Sequence, residues 1–245
     1  MKLTILGCWA PYPRPKGACS GYLLEEEGTN LLIECGNSVF SRLQTVSDFR
    51  KLTAVIISHL HPDHFVDLFA LRHALKGSFW DKSRSTKLDL YLPRNALDFQ
   101  LPLSKFSDAF NIHYIEEHEQ INIGGFSINF FETAHILPCW GLIARSGQKK
   151  FVFSADTAWQ EAYPGLWQNA NLLLCEASAL EKDCQFVEGA HLTAGQAGQL
   201  AAKSKAGRLL LTHFYPEYDI ELLKEEAAQF FDQVELALED KTYYI

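Results

Sequence analysis

The sequence predicts a fold of the mixed α/β (α+β) class: two β-sheets packed face to face with helices covering both outer surfaces, a four-layer αββα sandwich. Each half of the 245 residues contains an antiparallel hairpin and continues into alternating strands and helices. Hydrophobic residues make up 47% of the chain, which is ample for a large core. We therefore expect one domain spanning residues 1–245.

The first half contains a predicted hairpin and a buried strand. Apolar runs at 21–26 and 30–34 flank a turn with Gly28, which is typical of a β-hairpin. The uninterrupted apolar run at 54–58 indicates a strand buried on both faces. The other elements predicted here are a strand at 3–7, helices at 38–45 and 65–76, a polar connection at 77–87 and a strand at 88–92.

The second half repeats this layout. A strand at 126–131 precedes a hairpin formed by 141–144 and 150–154 around Gly147. Short buried runs and two helices rich in Ala, Leu, Glu and Gln complete the half. The buried runs lie at 172–174 and 209–211, and the helices at 193–203 and 220–231.

The net charge limits the classes of partner. Thirty acidic residues against 22 basic ones give −8 at pH 7, which argues against dense basic surfaces for nucleic acid or anionic membranes. Neither a stable nucleic-acid partner nor membrane binding is therefore expected. The N-terminus lacks a signal-peptide pattern, and the six scattered cysteines form no C-x-x-C pair, so we predict reduced thiols and a cytoplasmic protein.

A cluster of potential metal ligands follows the buried run at 54–58. His59, His61, Asp63 and His64 fall within six residues, and imidazole and carboxylate are ligands that zinc accepts. In a loop, His59 and His61 can point to one metal while Asp63 and His64 reach a second. A solvated histidine-rich turn is the alternative.

Three further candidates each follow a strand-like run: His135, Asp156 and His213. Singly, each could be a cap or a satisfied polar group. Together with the cluster they place five histidines and two aspartates at the carboxyl ends of four strands, where open sheets assemble ligand sites.

These residues resemble the H-x-H-x-D-H signature, later histidine, bridging aspartate and final histidine of the metallo-β-lactamase-fold hydrolases. The resemblance implies the αββα sandwich of that family and two divalent ions, with zinc as the default and manganese or iron as alternatives. It implies one metal on His59, His61 and His135, the other on Asp63, His64 and His213, and Asp156 as the bridge.

Within that family the chain is most similar to the tRNase Z and small phosphodiesterase branch. The similarity rests on the proline-containing loop after Gly7, on the segment 190–201 with His191, and on the segment 211–216. It implies a catalytic role for His191. His191 also precedes a predicted helix whose N-terminus would offer free N–H groups to an anion, although packing against the core is the simpler alternative.

The resemblance implies a hydrolase that attacks a phosphodiester with a hydroxide held between the metals. Asp63 would orient or deprotonate the nucleophile, and His191 would assist the leaving group. Asp156 follows His135 by only 21 positions, which leaves no room there for the long arm of tRNase Z. With the acidic charge, this favours a small anionic substrate such as a cyclic nucleotide or a short nucleotide fragment.

Other interpretations remain open. The same site could hydrolyse a carboxylic ester, thioester or lactone, and a non-catalytic metal-stabilised binding protein or a redox diiron protein are further alternatives. Family likeness makes a homodimer plausible. Phe79 and Trp80 could form a lid, a substrate platform, a subunit contact or part of the core. His73, His113 and His118 lack ligand spacing and are predicted to have surface or packing roles.

Overall fold

A computed structural model of the protein describes residues 1–94, 105–116 and 120–245. Two seven-stranded sheets pack against each other, and helices lie on their outer faces. The predicted αββα sandwich is therefore confirmed.

The strands divide between the sheets largely by half of the chain. The first six are β1 (Lys2–Gly7), β2 (Gly21–Glu26), β3 (Thr29–Ile33), β4 (Ala54–Ile56), β5 (Leu88–Pro93) and β6 (Phe110–Ile115). The remaining eight are β7 (Gln120–Ile123), β8 (Phe126–Glu132), β9 (Trp140–Ser146), β10 (Lys149–Phe153), β11 (Leu172–Glu176), β12 (Leu209–Thr212), β13 (Val234–Leu236) and β14 (Thr242–Tyr244).

Both sheets combine antiparallel and parallel pairing. The first has the order β14-β1-β2-β3-β4-β5-β6, antiparallel as far as β3 and parallel from β3 to β6. The second has the order β13-β12-β11-β10-β9-β8-β7, parallel from β13 to β10 and antiparallel beyond. The parallel strands of each sheet end at one common edge, where their following loops can meet.

Strand alternation separates the inner core from the outer layer. On β2, Tyr22 and Leu24 point into the core between the sheets, whereas Leu23 joins the apolar cluster beneath the outer helices. That outer cluster also contains Leu43 and Leu71 from the helices over the first sheet. The helices are α1 (Val39–Val46), α2 (Pro62–Phe65), α3 (Leu68–Trp80), α4 (Tyr163–Trp167), α5 (Ala194–Lys203) and α6 (Ile220–Ala228).

The helix predicted at 65–76 differs from the structure at both ends. Residues 77–80, predicted as a polar connection, form the last turn of α3, because Leu71, Leu75 and Ser78 continue its buried face past Gly77. At its other end, α3 begins only at Leu68, and a separate short helix, α2 with Pro62 in its first turn, precedes it. The exposed turn at Gly77 thus interrupts neither the hydrogen bonding nor the packing of the helix.

The cysteines agree with the prediction of unpaired thiols. All six are free, five are buried, and Cys184 is exposed. Within the described parts of the chain, no helix has both the length and the apolar character needed to cross a membrane.

Candidate metal centre and catalytic site

The loops after four strands bring all seven predicted ligands together. His59 follows β4, His135 follows β8, Asp156 follows β10, and His213 follows β12 directly. The seven fall into two groups, each with its potential ligand atoms within 4.8 Å of one another. The first consists of His59, His61, His135 and Asp156, and the second of Asp63, His64 and His213.

The first group is a convergence of ring nitrogens. Nδ1 of His61 lies 2.9 Å from Nε2 of His59 and 3.2 Å from Nε2 of His135. Oδ2 of Asp156 lies 3.5 Å from Nε2 of His59. Three imidazoles and one carboxylate aimed at one point match the donor set that a divalent zinc ion accepts.

The second group shares Asp156 with the first. Nε2 of His64 and Nε2 of His213 are 3.2 Å apart, and Oδ2 of Asp63 lies 3.4 Å from Nε2 of His64. Oδ2 of Asp156 lies 3.4 Å from Nε2 of His64 and 3.2 Å from that of His213. One carboxylate oxygen therefore lies between the two groups, as a bridging ligand would.

Outer partners fix the ring orientation of three of these histidines. Nδ1–H of His59 donates to Oγ of Ser58 at 2.9 Å, and Nδ1–H of His135 donates to the carbonyl of Ala190 at 3.0 Å. Nδ1–H of His213 donates to Oγ of Ser178 at 2.8 Å. Each bond leaves the Nε2 lone pair facing the centre, which is how ligating histidines are held.

Glu34 lies beside Nδ1 of His64, as the outer partners of the other three histidines lie beside theirs, but at a longer distance. Its Oε2 lies 3.6 Å from Nδ1 of His64, and neither atom has a hydrogen-bond partner among the described residues. Its Oε1 accepts from the backbone N–H of Ser58 at 3.0 Å. The carboxylate of Glu34 is fully buried and lies on the Nδ1 side of His64, away from the other ligands.

The backbone is strained around the centre. Glu34, Ala155 and His213 have φ of 62°, 52° and 61°, in the left-handed region that non-glycine residues rarely adopt. All three lie just past the carboxyl end of a strand that borders the centre. Such conformations persist where the surrounding structure enforces them, often at functional sites.

The centre shifts the pKa values of its histidines in opposite directions. Burial lowers the pKa of His59 well below its usual value. Burial also opposes the charged form of His213, but the negative charge of Asp156 outweighs it and raises the pKa of His213 to about 10. The pKa of Asp156 falls well below its usual range because neighbouring His213 and His64 outweigh its burial. The five imidazoles and two carboxylates converge in groups whose donor atoms suit divalent cations, so the residues present fit a metal centre.

His191 forms a third group of potential ligands with Asp156 and His213, and it is held by Glu176. Its Nδ1 is 3.2 Å from Oε2 and 3.3 Å from Oε1 of Glu176, and 3.8 Å from Oδ2 of Asp156. Its ring stacks on His213 with centroids 5.3 Å apart. Burial lowers the pKa of His191, but the charge of Glu176 outweighs it and raises that pKa. The contact with Glu176 thus engages Nδ1 of His191 and favours the charged form of the ring.

Sequence reasoning did not single out Glu34 and Glu176. Glu176 ends the apolar strand β11, and Glu34 directly follows β3. A polar residue at the end of a buried run is the pattern that identified Asp156 and His213, so it would have found both glutamates.

The prediction of an anion site at the start of α5 is wrong, because the N–H groups there are already bound. The N–H of Ala194 donates to the carbonyl of Ala179, that of Gly195 to Glu226, and that of Gln196 to the side chain of Thr193. Gln196 in turn caps Thr193, which completes a capping box. The helix therefore positions His191 without presenting these donors to a ligand.

A cavity of about 900 Å³ opens onto the centre. Its walls include His61, Asp63, Asp156, His191 and His213. Phe79 and Trp80 do not line it: Phe79 packs against the outer apolar cluster, and Trp80 is 88% exposed. His73 and His113 lie outside both ligand groups, as predicted, and His118 falls outside the described residues.

Comparison with known proteins agrees with this geometry. The profile of the beta-lactamase superfamily domain matches residues 29–214. "Probable metallo-hydrolase YhfI" of Bacillus subtilis is 31% identical over 97% of both chains, and its crystal structure superposes with a TM-score of 0.94, at 28% identity, over 99% of this chain and 98% of that one. A ribonuclease Z of Archaeoglobus fulgidus is 24% identical over 96% of this chain and 95% of its own. The chain belongs to the beta-lactamase superfamily.

Proposed function

We propose that this protein is a metal-dependent hydrolase, and specifically a phosphodiesterase that acts on a small anionic phosphodiester. The observation that carries the proposal is that His191, backed by Glu176, lies beside two adjoining ligand groups on the wall of one cavity. A proton donor next to two cation sites suits the expulsion of an alkoxide from phosphorus. Relatives named ribonuclease Z support the same class of reaction.

The two ligand groups would hold two divalent ions, with zinc as the default for this donor set. When bound, such a pair supplies an activated water and neutralises charge on the phosphoryl oxygens. Asp63 lines the cavity, and its carboxylate would accept a hydrogen bond from the attacking water and so orient it towards phosphorus.

His191 acts at the other end of the reacting bond. Because Nδ1–H is bound by Glu176, the proton on Nε2 is the one available to the leaving oxygen. The stacking of the ring on His213 holds this nitrogen beside the centre. The negative charge of Glu176 stabilises the charged imidazolium before the transfer.

Hydrolysis of a carboxylic ester, thioester or lactone is a second candidate. One observation favours it: among the described residues that line the cavity there is no lysine or arginine, so a neutral substrate would also be accepted. The attacking water and the ligand groups would serve a carbonyl equally well.

Turnover of bis(4-nitrophenyl) phosphate, compared with a panel of lactones and thioesters, separates the two candidates. A phosphodiesterase hydrolyses the phosphate diester and leaves the lactones intact, whereas the reverse order supports the second candidate. The His191→Asn variant tests the proposed acid, because it should lose more activity on a diester with a poor alkyl leaving group than on one with a 4-nitrophenolate leaving group. Equal losses on the two would contradict the role of His191.

A further inference from the structure

Aromatic side chains form the cavity walls away from the metal ligands. Tyr215 and Tyr218 follow β12 and lie edge to face, with ring centroids 5.6 Å apart. Phe186 ends a 3₁₀ turn at Glu181–Phe186 and lines the same cavity, although 80% of its surface is exposed. A phenylalanine this exposed at the mouth of a cavity offers a face on which a flat ring can stack.

Arg14 holds the wall formed by Tyr215 and Tyr218 in place. Nε of Arg14 donates to the carbonyl of Pro216 at 2.6 Å, and Nη2 of Arg14 donates to the carbonyl of Tyr218. The guanidinium of Arg14 itself lies 4.2 Å from the ring centroid of Trp9, a stacked contact. The wall is therefore held in place before a ligand arrives, which reduces the entropy lost on binding.

The charge of this part of the cavity is negative. Among the described residues that line the cavity, and apart from the ligand groups and His191, Asp183 carries the charge. The hydroxyl of Tyr218 donates to its Oδ2 at 2.7 Å, which fixes the carboxylate and leaves Oδ1 as an acceptor. Such a wall repels a second phosphate and attracts a group that presents N–H donors.

We propose that this aromatic pocket, formed by Tyr215, Tyr218 and Phe186 with Asp183, binds the nucleobase of a nucleotide that carries one phosphodiester. The assignment rests on the proposed phosphodiesterase function. The base stacks on the aromatic side chains, and Asp183 accepts two hydrogen bonds from adjacent N–H groups of its edge, one at Oδ1 and one at the remaining lone pair of Oδ2. A carboxylate discriminates in favour of bases that present adjacent N–H donors, as guanine does with N1–H and its 2-amino group.

Equilibrium binding to the metal-loaded protein tests the stacking. Guanosine 5′-monophosphate should bind at least about tenfold more tightly than ribose 5-phosphate, which lacks the base. Phe186→Ala should remove most of that advantage. Trp80→Ala, at an equally exposed aromatic outside the cavity, should keep it. Equal binding of the two ligands, or the same advantage in Phe186→Ala as in the wild type, would overturn the assignment.

Asp183→Asn tests the reading of the base edge. The carbonyl of the introduced amide can keep the bond from Tyr218, so its NH2 group then faces the base and reverses the polarity of the site. The preference for guanosine over inosine 5′-monophosphate, which lacks the 2-amino group, should fall from about tenfold towards one. An unchanged preference would contradict the role of Asp183.

Different results would reject the base pocket and the proposed function. Hydrolysis of methyl 4-nitrophenyl phosphate, which has no base, without any preference for nucleotides over ribose 5-phosphate would reject the pocket and keep the phosphodiesterase. A base preference without hydrolysis of any phosphodiester would support the pocket and reject the proposed activity.

Discussion

Nδ1 of His191 lies 3.2 Å from Oε2 of Glu176, and the same oxygen accepts a 2.6 Å hydrogen bond from Ser178, whose Oγ also accepts from Nδ1–H of His213. One buried carboxylate thus orients both the proposed proton donor and, through Ser178, a predicted metal ligand. Because Glu176 comes from β11, which lies between β10 and β12, the two roles are linked by the sheet itself.

Glu176→Gln should shift the pH dependence of turnover. The charge of Glu176 raises the pKa of His191 above its usual value, and the protonated form is the one that donates. Activity should therefore fall as pH rises through this pKa, and neutralising the carboxylate should make it fall at a lower pH. The measurement is kcat against pH for a diester with an alkyl leaving group.

Two controls accompany that profile. Glu225→Gln, on the exposed face of α6, should leave the alkaline limb where it is. A substrate that releases 4-nitrophenolate needs little proton transfer and should show a smaller shift. An alkaline limb that does not move in Glu176→Gln would contradict the proposed pairing.

Glu34→Gln should weaken metal binding at the second ligand group. The glutamine oxygen can still accept from Ser58, but its NH2 would then face Nδ1–H of His64, so two donors would oppose each other. Losing such an outer partner typically costs about 10- to 100-fold in metal affinity. Zinc affinity can be measured by competition with a chromophoric chelator, again with Glu225→Gln as control. Wild-type affinity in Glu34→Gln would show that Glu34 does not orient His64.

A matched pair of glycines tests the packing of α5 against α6. A Cβ at Gly198 would lie 2.5 Å from the carbonyl oxygen of Ala227, whereas one at Gly77 meets nothing within 4 Å. Gly198→Ala should therefore lower the free energy of unfolding by about 1–3 kcal/mol. Gly77→Ala should raise it by about 0.5–1 kcal/mol through helix propensity. Urea denaturation measures both, and changes of the same sign would contradict the described packing.

The ligand set was predictable because its signals are local. His59 to His64 lie in one short segment, and Asp156 and His213 each follow an apolar run that only a buried strand explains. The end of α3 is predicted too early, at the exposed Gly77. The buried face formed by Leu71, Leu75 and Ser78 stabilises the helix by more than one glycine destabilises it.

Features set by distant contacts could not be predicted. The donors at the start of α5 are bound by Glu226, 31 residues further along the chain, and by the carbonyl of Ala179. β14 returns from the second half to pair with β1, and its three residues are too few for a strand to be predicted from them alone. The pairing of His64 with Glu34 likewise depends on the parallel register of β3 and β4.

The central claim is that the two ligand groups hold metal and that this metal supports hydrolysis. Metal content and turnover of bis(4-nitrophenyl) phosphate should be measured on the same samples of wild type, His61→Ala and His73→Ala, the last being a histidine on the exposed face of α3. We predict two divalent ions per chain in the wild type and in His73→Ala. In His61→Ala we predict reduced metal content and a loss of activity of more than about 100-fold. Equal activity in wild type and His61→Ala would contradict a metal-centred mechanism.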